Sequence, residues 1–152
     1  METVDRLKFV RSALYVPASN ARALEKALGL AADMIIVDLE DAVPEEAKAQ
    51  ARDAALAYAR AGVGNRLLAI RANAYDSPHH ADDVTALKDC AADLVVLPKV
   101  EDVSDISDFG LPVLAMVETP KGLFNARSIA GHPSVAGLIA GINDIAAQTG
   151  IR

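Results

Sequence analysis

The chain is poor in the side chains that usually announce a specialised function. Among 152 residues there is one cysteine, no tryptophan, three tyrosines and three phenylalanines. A single cysteine, Cys90, cannot close an internal disulfide, so a reducing, cytoplasmic setting is the expectation. Its place in a helical stretch reads as that of a small buried hydrophobe. Fifteen lysines and arginines against twenty-one acidic residues give a net charge of -6, and the basic residues are scattered. With so few aromatics, neither a nucleic-acid footprint nor a base-stacking surface is visible. No apolar run approaches the roughly 18 residues of a membrane span. The opening METVDRLKFVR is broken by charges and lacks the apolar centre of a signal peptide. The three histidines, His79, His80 and His132, have no zinc-site spacing; adjacent His79 and His80 diverge on a helix, and all three read as structural or solvent-facing.

Two further absences bear on the fold. No hairpin dipeptide joins any pair of expected strands, and no glycine-rich phosphate fingerprint follows the first one. The first points to parallel strands linked by helices; the second argues against a dinucleotide-binding sheet. At 52% hydrophobic and 24% charged, the chain is globular. Six apolar runs read as buried strands: Ser12 to Pro17, Met34 to Val37, Leu67 to Ile70, Leu94 to Leu97, Val113 to Val117 and Val135 to Ile139. Between them lie helix signals. Ser19-Asn20 caps a helix closed by Gly29. Pro44 at the first helical position, followed by Glu45 and Glu46, opens another that Gly62 stops, and Ser77-Pro78 caps a third running through Leu87 and Cys90. A last short helix begins at Asn143-Asp144. The expected fold is α/β, a single domain over residues 1–152 of the TIM (β/α)8-barrel type, truncated after the sixth strand–helix unit because a full barrel needs about 200 residues or more. The first and sixth strands are then left with open edges.

The strand ends carry the chemistry: Asp38, Glu40 and Asp41; Arg71; Lys99; Glu118; Asp144. In a parallel barrel these charges converge on one mouth, and the opposite strand ends show no comparable set in the sequence. Each alone also reads as an ordinary charge where a strand leaves the core. Glu118 and Asp144 end adjacent strands, close enough for one hard cation, and magnesium takes one or two protein carboxylates with waters and substrate oxygens. Arg71 offers a planar fork to a substrate carboxylate. The set fits a magnesium-bound, carboxylate-bearing substrate; a surface salt-bridge network is the plainer alternative.

The segments RSALYVPASNARALEKA, IIVDLEDAVPEEAK, IRANAYDSP, VVLPKVE, MVETPKG and GINDIAAQTG, spanning Arg11 to Gly150, resemble the citrate lyase β-subunit-like proteins of the HpcH/HpaI aldolase and malyl-CoA lyase superfamily. The resemblance implies a magnesium-dependent carbon–carbon lyase that makes or breaks a short 3-hydroxyacyl-CoA thioester from a 2-keto acid and an acyl-thioester enolate. It implies Glu118 and Asp144 as metal ligands, with Arg71 completing the catalytic group. Arg71, Glu118, Lys99 and Asp41 would then face the substrate, and a homo-oligomer is implied. Two other readings stand beside it: a class II aldolase acting on free 2-keto acids, and a truncated, non-catalytic domain that binds metal or a partner.

Overall fold

Apart from the closing residues Asp38 and Arg71, the central strands are apolar at every position, which leaves them no solvent face, so they must be covered on both sides. The structure, a computed structural model, describes residues 2–150; Met1, Ile151 and Arg152 of the expected single domain lie outside the described residues. Six strands form one sheet: β1 (Ala13–Pro17), β2 (Met34–Asp38), β3 (Leu67–Arg71), β4 (Leu94–Leu97), β5 (Val113–Val117) and β6 (Val135–Ala140). All neighbours are parallel and the spatial order follows the chain order, β1-β2-β3-β4-β5-β6. β2, β3, β4 and β5 are buried throughout, whereas the outer strands β1 and β6 are only partly covered.

Alternation along each strand splits the core into two layers. Ile35, Val37, Leu68, Ile70, Val95 and Leu97 meet the helices, whose contribution comes largely from Ala51, Ala55, Ala59, Leu87 and Ile129. Met34, Ile36, Leu67, Ala69, Leu94, Val96, Leu114 and Met116 form a smaller layer on the other face, with Leu7 and Val10 packed against it. The helices are α1 (Thr3–Leu7), α2 (Ala21–Ala27), α3 (Lys48–Ala61), α4 (His80–Leu87), α5 (Pro120–Ala130) and α6 (Ile142–Thr149). None is long and apolar enough to cross a membrane.

Several boundaries differ from the sequence expectation, each for a local reason. Pro44 stands one position before a short 3-10 turn, Glu45–Ala47, and the regular helix starts at Lys48. The buried Lys48 ammonium donates to the carbonyls of Leu39 (2.9 Å) and Glu40 (2.8 Å), tying the first turn of α3 to the end of β2. Helix α4 begins at His80 rather than directly after Ser77-Pro78, with the Ser77 hydroxyl accepting from the His79 N–H. Cys90 lies past the end of α4, half-buried against the outer core layer, and burial pushes its thiol up. His80 is structural as expected: Nδ1 bonds the Asn73 carbonyl, Nε2 bonds Ser107, and the ring meets Phe109 edge-on.

The opposite pole of the sheet carries charges of its own, although not a set comparable to the one expected at the strand ends. Arg11 pairs with Asp33 at 3.1 Å and Arg6 with Asp93 at 3.7 Å. Arg66 donates to the carbonyls of Val63, Ala27, Leu30 and Leu28. Hydrogen bonds from the Arg11 side chain and backbone hold Asp33 down to about 2. These groups are partly exposed and locked onto backbone, so they fasten the strand entrances, and Arg6, Asp33 and Arg66 border a small cavity of about 290 Å³ there. That residues on α1 (Arg6) and at β1 (Arg11) reach Asp93 and Asp33 is visible only once the strands are paired.

Helix α5 packs closely against the segment that follows β4. A methyl at Gly122 would overlap the carbonyl oxygen of Val100. Gly122→Ala is therefore expected to lower unfolding stability by about 2 kcal/mol through overpacking, measured by urea denaturation; an unchanged midpoint would show that α5 can shift freely.

Candidate functional site

At the carboxyl pole the centre of the arrangement is Arg71, the last residue of β3. Its side chain is buried beneath the strand ends, and Nε and Nη2 grip both oxygens of Asp38 at 2.7 and 2.6 Å. Parallel register places Asp38 directly across from Arg71, so the pairing follows from β2–β3 alignment. Nη1 then lies 3.1 Å from Glu40 Oε2 and 3.7 Å from Asp41 Oδ2, and the guanidinium stands 5.2 Å from the centre of the Tyr15 ring. Burial works against the Arg71 charge, but the Asp38 hydrogen bonds and the charges of Asp38, Glu40 and Asp41 outweigh it and hold the group above its usual range. Asp38 is set by burial on one side and by Arg71 and the N–H groups of Glu40 (2.8 Å) and Ala42 (3.1 Å) on the other; the net displacement is downward.

Glu40 is the strained member of this group. Burial pushes its carboxyl up against the pull of Lys99 and Arg71. Oε1 accepts from Lys99 Nζ at 2.6 Å, while Oε2 is buried without a hydrogen bond of good geometry even though Arg71 Nη1 lies 3.1 Å away. Lys99 is thus engaged with Glu40 and reaches Asp41 more loosely, at 3.8 Å.

Glu118 follows β5 and is also buried. Its Oε1 accepts the backbone N–H of Lys99 at 2.7 Å. Burial pushes this carboxyl up, Glu40 and Asp144 push it the same way, and the Lys99 N–H opposes them. Asp144 comes from the first turn of α6, which starts directly after β6. A side chain at Gly141 would collide with Glu118 itself, so a glycine is needed where the chain leaves β6 beside that carboxylate. Two cavities meet at this pair. One, of about 510 Å³, is lined by Tyr15, Arg71, Met116, Ile139, Glu118 and Asp144. The other, of about 460 Å³, is lined by Lys99, Thr119, Lys121, Gln148 and the same two carboxylates.

All seven charges singled out from the sequence therefore gather at one pole, in two linked groups: Arg71 with Asp38, Glu40 and Asp41, and Glu118 with Asp144, joined by Lys99. Among the described residues no three His, Cys, Asp or Glu side chains form a ready-made metal cage. Two carboxylates beside open space are nevertheless the usual protein share of a magnesium shell, the rest coming from water and substrate. Glu118 and Asp144 fit that ion, and a cation between them would relieve the repulsion that their approach creates.

Some supporting residues carried no readable sequence signal. Asp83 is fully buried on α4 and accepts from Asn73 N (2.8 Å), Asn73 Nδ2 (2.7 Å) and Arg52 Nε (2.7 Å). This clamps the loop that leaves Arg71 to α3 and α4. A carboxylate in the first turn of a helix looks in sequence like any other dipole-facing charge.

The model of the HpcH/HpaI aldolase/citrate lyase family matches residues 11–111. A (3S)-malyl-CoA thioesterase from Cereibacter sphaeroides is 43% identical over 144 residues, covering 91% of this chain and 50% of that protein. A solved citrate lyase beta subunit from Mycobacterium tuberculosis, complexed with oxaloacetate and magnesium, aligns with a TM-score of 0.78 at 34% identity over 91% of this chain and 60% of that one. The CitE protein of the same organism, in complex with magnesium, acetoacetate and coenzyme A, aligns with a TM-score of 0.78 at 32% identity over 93% and 52% of the two chains. The chain spans about half the length of the curated relatives it matches, 50% for the thioesterase.

The buried Asp38–Arg71 pair sets a clear expectation. Asp38→Asn takes from the buried guanidinium its bidentate partner, leaving only Glu40 and Asp41 to compensate it, and should cost about 3 kcal/mol at neutral pH. The folded-state acidity of Asp38 is displaced downward, so its stabilisation is present above the ordinary carboxylate range and is lost as pH falls through the depressed value. Urea denaturation from neutral to acid pH should show the variant and the parent converging; a gap independent of pH would contradict the pairing.

Proposed function

The chain belongs to the HpcH/HpaI aldolase/citrate lyase family, and on that footing we propose that it acts, with magnesium, on a short 3-hydroxyacyl-CoA thioester. The reaction is cleavage or formation of the carbon–carbon bond between a 2-keto acid and the enolate of an acyl thioester. The observation that carries this reading is the Glu118–Asp144 carboxylate pair opening into the same cavity as Arg71. That oxaloacetate and magnesium occupy a citrate lyase beta subunit of like fold adds support.

In this reading Glu118 and Asp144 hold the metal, which when bound supplies Lewis-acid polarisation of a keto oxygen. The protein's own side chains do the placing. Asp38 fixes the plane of the Arg71 guanidinium, and Nη1, which faces Glu40 and Asp41, is the donor that the keto acid's carboxylate would share. Lys99 neutralises Glu40 and, with Asp41, borders the substrate. Tyr15, Met116 and Ile139 give the cavity an apolar side that limits water around a developing charge. We read the six-stranded parallel sheet as six strand–helix units of a (β/α)8-type barrel, a reading its sequential strand order supports. The outer edges of β1 and β6, unpaired among the described residues, are where further strands or a neighbouring copy belong.

A second reading comes from the malyl-CoA thioesterase at 43% identity: hydrolysis of the thioester rather than cleavage of the carbon chain. The products separate the two. Incubated with malyl-CoA and magnesium, a lyase releases acetyl-CoA and glyoxylate, whereas a thioesterase releases malate and free CoA. Chromatography of the CoA species decides between them, and neither product set would sink both.

The site itself is tested by calorimetric titration of magnesium followed by oxaloacetate. Glu118→Ala and Asp144→Ala are expected to remove magnesium binding while the fold persists. Unchanged affinity in both variants would refute the metal assignment. Arg71→Lys, which turns a fork into a point charge, should weaken keto-acid binding about tenfold with little change in magnesium affinity; equal losses of both would argue against a substrate-facing Arg71.

A further inference from the structure

Lys99 is the one non-glycine among the described residues with a positive φ, 54°, in the left-handed region. Such a conformation costs an L-residue about 1–2 kcal/mol and persists only where the surroundings impose it. Here the hydrogen-bond ladder supplies the reason. The Val95 N–H donates to the Pro112 carbonyl, so a regular parallel ladder, advancing two residues at a time on each strand, would give the Met116 carbonyl to the N–H of residue 99. Instead the Val100 N–H takes it, at 3.1 Å. One residue has been slipped in, as in a bulge, and the Lys99 N–H is released from the ladder. It is not left idle: it donates to Glu118 Oε1 at 2.7 Å. Two successive N–H groups thus face β5, where an extended chain would point them to opposite sides. The lack of a side chain at Gly122 leaves room for the Val100 carbonyl of the slipped segment.

We infer that Lys99 is a positioning residue that acts through its backbone: the left-handed bulge at the end of β4 exists to aim one free N–H at Glu118 and set the direction of that carboxylate toward Asp144. The inference rests on the metal role proposed above for Glu118. It separates the two halves of Lys99, since the ammonium serves Glu40 while the N–H serves Glu118. Backbone conformation at residue 99, rather than its side-chain charge, then governs magnesium affinity.

Three measurements test this. In a ¹⁵N–¹H spectrum the Lys99 amide proton, bonded to a carboxylate, should resonate downfield and move upfield in Glu118→Ala; a resonance that stays put overturns the link. In calorimetry, Lys99→Gly, which adopts the left-handed region freely but lacks the ammonium, should keep magnesium affinity within about threefold of the parent. Lys99→Val, whose β-branch disfavours that region, should lose about tenfold or more. Equal affinities for Gly and Val, or a loss in Gly as large as in Val, would overturn the inference. A parent protein that takes no magnesium would remove the metal reading instead, and the amide resonance, which needs no Lys99 variant and no metal, would still decide whether the bulge holds Glu118.

Discussion

A guanidinium buried at the end of β3 governs the whole carboxyl pole. Arg71 is nearly out of solvent, and a charge there is tolerable only if the structure surrounds it with carboxylate oxygens. Asp38 supplies two of them in a bidentate grip, Glu40 a third at 3.1 Å, and Asp41 a more distant contact at 3.7 Å. Satisfying that one cation dictates the shape of the turn after β2, because Asp38 also accepts the N–H groups of Glu40 and Ala42. Glu40 is left overcommitted to burial, and Lys99 answers it from β4. The charges at this pole are therefore one linked system rather than a set of separate surface pairs.

From that system the structure steps to the second carboxylate group through a single residue. Lys99 touches Glu40 with its side chain and Glu118 with its backbone, so the four central strands are tied at their carboxyl ends by polar contacts as well as by the ladder. The opposite pole is charged too, yet its ion pairs are exposed and bind backbone carbonyls and N–H groups. The difference between the poles is burial. The more exposed pairs contribute little and border a cavity of about 290 Å³, whereas the buried ones at the mouth border two larger ones, of about 510 and 460 Å³.

The family match and the two magnesium complexes of like fold give the proposed reading support that does not depend on the geometry of this pole. The relatives also sharpen the chemical question. In sequence this chain is similar to a (3S)-malyl-CoA thioesterase and in fold to a citrate lyase beta subunit, two names that imply different bonds.

The sequence alone determined that strands and helices alternate, that the strands are parallel and buried, and that seven charged residues stand at strand exits. These follow from periodicity and breakers, which act locally. It could not reveal that Asp83 clamps Asn73, that Gly141 makes room for Glu118, or that the entrance pole carries its own ion pairs. Nor could it show that Pro44 precedes the helix it was expected to begin. Each depends on which segments lie side by side after the strands pair, and on a competing hydrogen bond (Lys48 to the β2 carbonyls, for one) that no local pattern encodes. The left-handed turn at Lys99 is the clearest case: nothing in Leu-Pro-Lys-Val calls for it, and only the register of β4 against β5 frees an N–H for Glu118 to take.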